Sequence, residues 1–88
     1  MDRETLRKTL VDLIEQETWE RPDRFDDAVK VREELKLDSV DLLSVMLRAE
    51  GSLGVTLDSR DFDKITTVGD LLSTIERKMA ANSSAKAA

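Results

Sequence analysis

The sequence predicts an all-α fold, a small bundle of three main helices plus one short helix with a long first loop. Three observations predict it. Apolar residues recur at helical spacing in three separate stretches. Capping residues stand at the points where helices would begin. At 88 residues the chain has the length of one small domain with a modest core.

The first helix is read over residues 2–17, where Leu6, Leu10, Leu13 and Ile14 mark one face. Asp2 can cap it, and Glu4 lies four residues before Lys8, the favourable order for an exposed pair. From Thr18 to Leu37 the periodicity breaks down, and Pro22 cannot continue a helix. This stretch mixes Arg21, Arg24, Lys30 and Arg32 with Asp23, Asp26, Asp27, Glu33 and Glu34, so it carries no one-sided charge. Trp19, Phe25, Val29, Val31 and Leu35 are read as the anchors that pin so long a connection to the bundle. Trp19 is taken as such an anchor rather than as a ligand-stacking residue.

The second helix starts at Ser39. Asp38 is placed as its N-cap, Asp41 completes a capping-box-like pair, and Leu37 with Leu42 forms a hydrophobic staple. That register puts the Ser39 hydroxyl beside unpaired backbone N–H groups at the positive end of the helix dipole, where a phosphate ester is well tolerated. At about 100° per residue, Asp41, Ser44 and Arg48 form a narrow polar stripe. Leu42, Leu43, Val45, Met46 and Ala49 are expected to face the core. Val40 and Leu47 lie beside the polar stripe, so either a loop covers them or they are exposed for docking. Gly51 and Gly54 are two candidate C-caps between which the sequence does not choose.

Asp58 caps the short third helix, with Asp61 at its third position and a Leu57/Phe62 staple. Asp58, Asp61 and Asp63 lack the glycine and closing glutamate of an EF-hand, so they are read as a solvated face and no metal is expected. Thr67 and Asp70 form a capping box before Val68, Leu71, Leu72, Ile75 and Met79, the stripe of the last helix. The domain is placed at residues 1–80 and a disordered C-terminal tail at 81–88.

Composition narrows the chemistry. The chain has no cysteine and no histidine, which removes Ser-His-Asp and Cys-His catalysis and zinc sites built on Cys or His. A net charge of −5 argues against nucleic acid and favours basic partner surfaces. No apolar run reaches a membrane span, and no signal-like segment opens the chain, so a cytoplasmic location is expected.

Asp38-Ser39-Val40, preceded by Glu34-Leu35 and followed by an apolar helix, resembles the phosphopantetheine-attachment motif of acyl carrier proteins. Phe62-Asp63-Lys64-Ile65-Thr66-Thr67-Val68 resembles that family's short third helix and the start of its last helix. The two matches come in the right order and separation, and the resemblance covers about residues 3 to 79. It implies a small four-helix bundle of acyl-carrier type, in which the second helix runs past Gly51 and ends between Glu50 and Leu53.

The resemblance also implies a carrier rather than an enzyme. Ser39 would receive 4′-phosphopantetheine from coenzyme A through a phosphopantetheinyl transferase, with Asp38 and Asp41 assisting recognition. The docking surface would be formed by Val40, Asp41, Ser44, Leu47, Arg48, Asp63 and Ile65. The expected partners are an acyl- or aminoacyl-loading ligase or transferase, a synthase and other acyl-processing enzymes, and the chain is expected to be a monomer. Lys36 stands where the family usually has glycine, and Val40 replaces the commoner leucine. Ser44 and Arg48 lie on a face more acidic in housekeeping fatty-acid carriers, which points to a specialised pathway of fatty-acid, lipid or polyketide biosynthesis. The cargo is left open between a fatty acyl group, a polyketide intermediate and an activated amino acid. The alternative from another class is an unmodified helical interaction module, in which Asp38-Ser39 is only a cap.

Overall fold

Four helices form the chain: α1 (Arg3–Thr18), α2 (Ser39–Leu53), α3 (Ser59–Asp63) and α4 (Val68–Ala87). The computed structural model describes the backbone of residues 2–87 and the side chains of residues 2–81. Among the described residues there is no strand, only an isolated antiparallel bridge between Lys30 and Thr67. The expected all-α bundle with a long first loop is the observed one.

α1 begins as its sequence dictates. The Asp2 carboxylate accepts the Thr5 N–H at 2.7 Å, and Leu6, Leu10, Leu13 and Ile14 are buried. Each fully buried aliphatic side chain stabilises the fold by about 1.5–3 kcal/mol relative to exposure. The Glu4–Lys8 pair does not form, because Glu4 is taken by Arg7 at 3.3 Å. Arg7 is held there by the Phe25 carbonyl and the Asp27 carboxylate, both at 2.8 Å. α1 ends at Trp19, a left-handed C-cap with φ 65° whose N–H bonds the Glu15 carbonyl. The expectation that Trp19 pins the loop is corrected: it is 89% exposed. The left-handed turn redirects the backbone at Trp19, and burial begins only at Phe25.

The long loop is ordered by α4. Val68 N–H donates to the Val29 carbonyl at 2.8 Å, Val31 N–H to the Thr66 carbonyl at 3.0 Å, and Gly69 N–H to the Asp27 carbonyl at 3.0 Å. Phe25, Val29 and Val31 are buried, and Leu35 packs partly against the same core. Gly69 suits the close approach, since a Cβ there would lie a tight 3.1 Å from both the Asp27 Cβ and its carbonyl oxygen. Arg3 reaches Asp27, Glu76 and the Gly69 carbonyl, joining α1, the loop and α4.

Thr67 and Asp70 form the expected capping box, with both bonds at 3.1 Å. Val68, Leu71, Leu72 and Ile75 are fully buried, and Met79 packs partly against them. The backbone does not stop with this stripe but stays helical to Ala87. No glycine or proline follows Met79, and Ala80, Ala81 and Ala85 favour helix intrinsically. The disordered tail expected over 81–88 falls mainly on residues 82–88, whose side chains, with all of Ala88, lie outside the described residues.

Candidate functional site

The start of α2 is built from the loop that leads into it. Lys36 adopts a left-handed conformation at φ 57°, and Leu37 then drops into the core at 1% exposure. Asp38 is extended, and its carboxylate accepts the Asp41 N–H at 2.8 Å. Leu37 and Leu42 are both buried, as the staple reading requires. The return half of the box, from Asp38 N–H to the Asp41 carboxylate, does not form among the described residues; Asp38 caps alone.

Ser39 is therefore the first residue of α2, and it is exposed. Its hydroxyl makes no hydrogen bond to any described residue. The neighbouring carboxylate is occupied by the cap, and the unpaired N–H groups of the first turn favour a negative group. The arrangement presents a solvent-facing hydroxyl on a rigid element. No His or Cys exists anywhere in the sequence to activate it, and the adjacent Asp38 carboxylate is engaged by the cap.

Leu42, Val45, Met46 and Ala49 form the buried face of α2. Leu43, expected with them, is 49% exposed, and this is a correction. One residue advances the helix by about 100°, which carries Leu43 off the Leu42 face and beside Val40 and Leu47. Val40 is 70% and Leu47 57% exposed, so no loop covers them. The three line an apolar groove of about 400 Å³ with Met46 on the same wall. Leu57 and Phe62 form the opposite wall, and Ser39 stands at the rim. The Arg32 guanidinium caps the Phe62 ring at 5.4 Å from its centroid. Sequence reasoning did not anticipate this groove, although an apolar arc wider than a surface helix needs was its signal.

Ile65 does not belong to any surface. It is fully buried in the core, and its assignment to a docking face is corrected. It follows the turn out of α3, where its N–H donates to the Phe62 carbonyl and its side chain packs inward. Asp63 is exposed, while Asp41 and Ser44 are half-buried. Arg48 is exposed, but its guanidinium bonds Glu17 at 3.0 Å and Gln16 at 3.3 Å on α1. Gly54 resolves the choice of C-cap, with φ 69° and its N–H on the Glu50 carbonyl, so α2 ends at Leu53.

α3 is fixed at its start. The Glu50 carboxylate accepts the Leu57 N–H at 3.2 Å, and Asp58 and Asp61 form a complete capping box. Asp61 is 6% exposed and pairs with Lys78 of α4 at 3.1 Å. Burial would push its carboxyl up, but the Asp58 N–H, Lys78 and Lys64 together hold it below the ordinary value.

A family model described as the phosphopantetheine attachment site matches residues 8–75. The chain belongs to the acyl carrier protein family. An acyl carrier protein of Thermotoga maritima is 31% identical over 77 residues, spanning 88% of this chain and 95% of that one. One from Renibacterium salmoninarum is 25% identical over 71 residues, spanning 81% and 88%. The fold agrees with a crystal structure of an acyl carrier protein from Thermotoga maritima, with a TM-score of 0.83 at 21% identity over 92% of this chain and 94% of that one. As a family member the chain is a carrier and not an enzyme, and phosphopantetheine is its prosthetic group. Among the described residues no helix is long and apolar enough to cross a membrane.

Proposed function

We propose that Ser39 is the attachment point of the 4′-phosphopantetheine arm, and that the chain carries an acyl thioester to partner enzymes of a specialised pathway. The observation that carries this reading is the exposed Ser39 hydroxyl, free of internal hydrogen bonds at the N-terminus of α2. The residues fit the group: a phosphodiester on Ser39 would meet first-turn N–H groups and displace no packed side chain. When attached, the arm supplies a terminal thiol, the nucleophile this sequence lacks. Asp38 positions the serine by capping α2.

An apolar groove with Ser39 at its rim favours an acyl cargo over an amino acid, whose ammonium would be poorly solvated there. Val40, Leu43 and Leu47, with Ser44 and Asp63 at the margins, form the partner-docking surface in this reading. Arg48 interrupts it with a cation already engaged by Glu17, which favours dedicated partners over strongly basic ones. A loading enzyme and a synthase are the partner classes that the chemistry needs. Incubation with a phosphopantetheinyl transferase and coenzyme A adds one arm by intact mass, and none in Ser39→Ala. Addition that persists in Ser39→Ala excludes this assignment.

A further inference from the structure

Beside the groove, on the other side of α3, lies a second concavity of about 360 Å³. Arg60, Lys64, Arg77 and Lys78 converge on it from α3 and α4. Elsewhere Arg3, Arg7, Arg21, Arg24 and Arg48 each hold a carboxylate, and Arg32 lies over the Phe62 ring. Arg60 and Lys64 have none within ion-pair distance among the described residues, and Arg77 makes a side-chain bond only to the Thr74 hydroxyl, at 3.4 Å. Of the two acids of the concavity, Asp58 is exposed but spent on capping α3, and Asp61 is buried against Lys78. A chain of net charge −5 thus gathers unmatched cations in one hollow.

We propose that this hollow between α3 and α4 docks an acidic segment of a partner protein, as a second contact beside the apolar groove. It rests on the carrier reading only in that the chain works by docking on other proteins. Charge complementarity selects the occupant: carboxylates on a strand or helix end can meet several cations at once, and arginine takes carboxylate through two bonds. A flat anionic membrane does not enter a hollow, and it would be repelled by the acidic remainder of the surface. Continuity supports the placement, since Asp58 borders both the groove and the hollow. α3 is only five residues long, a ridge of about 7.5 Å that one partner can straddle. The acidic surface elsewhere would turn such a partner away from every other orientation.

The test is titration of the isotope-labelled chain with hexaglutamate at low salt, followed by backbone amide shifts. Shifts are expected at Arg60, Lys64, Arg77 and Lys78, abolished by high salt and weakened about tenfold in R60E/K64E. Circular dichroism checks that the variant remains folded; R77Q with the wild-type salt titration serves if it does not. Absent shifts, or shifts that survive charge reversal, overturn the proposal. Tighter binding of inorganic phosphate at the same amides assigns the hollow to a phosphate ligand instead, and co-sedimentation with phosphatidylglycerol vesicles assigns it to lipid; either result overturns it. The same titration on Ser39→Ala is expected to be unchanged, so failure of arm attachment and failure of this contact are read separately.

Discussion

Two residues before the N-cap of α2, Lys36 holds φ 57°, a conformation that L side chains rarely adopt and glycine adopts freely. The family's usual glycine at this position thus has a backbone reason. Lys36→Gly is expected to relieve the strain and to raise stability by up to about 1 kcal/mol, part of the gain being returned as unfolded-chain entropy. A rise in the urea midpoint at unchanged slope would show it; a fall would mean that the lysine side chain contributes more than its backbone costs. The serine at this site was legible because its signal is local: Asp38, Leu37 and Leu42 lie within five residues, and capping chemistry needs nothing further away. Ile65 was not legible, because a five-residue helix gives too short a period to fix which way the next side chain points.

α2 presents two apolar faces with different fates, one built into the core and one left to solvent. Leu47→Glu is expected to weaken partner binding at least about tenfold while changing stability by less than about 0.5 kcal/mol, as exposed positions usually do. Binding and urea melts on one preparation decide it, and unfolding would place Leu47 in the core. Leu43 belongs to this face although its neighbour Leu42 is fully buried, because one residue turns the helix by about 100°. At the start of α4, Gly69→Ala is expected to destabilise by roughly 1 kcal/mol despite alanine's better helix propensity. The new Cβ would press on the Asp27 backbone, and Asp27 cannot yield because Gly69 N–H, Arg3 and Arg7 hold it. Replacement of Asp27 by alanine removes the hold of Arg3 and Arg7 and should relieve part of that cost, and a double-mutant cycle measures how much.

Across the whole molecule, depressed carboxyls set the response to acid. Asp70 is lowered from 3.8 by the Thr67 and Thr66 N–H groups. Asp27 is lowered by its Arg7 bond and, against the cost of burial, by Arg3, and Asp61 is lowered as described above. Each binds its proton more weakly folded than unfolded, so this stability is present above the unfolded value of 3.8 and is lost as pH falls through the folded values. The urea midpoint is accordingly expected to be flat from neutrality to about pH 5 and to drop below about pH 4. Asp70→Asn should flatten part of that drop, and an unchanged profile would remove Asp70 from the account. The helices could be read from periodicity and caps, each being a statement about near neighbours. The junction of Arg3, Arg7, Asp27 and Glu76 could not, because it joins α1, loop and α4 across as many as 73 positions. The bonds from Val68 and Gly69 back to Val29 and Asp27 have a further consequence, one of timing. As the chain leaves the ribosome, the first loop cannot be clamped until residues 66–70 have emerged. The serine beyond that loop thus waits in an unfinished setting until the start of α4 has emerged, and an enzyme that reads its surroundings would meet its substrate only after that point.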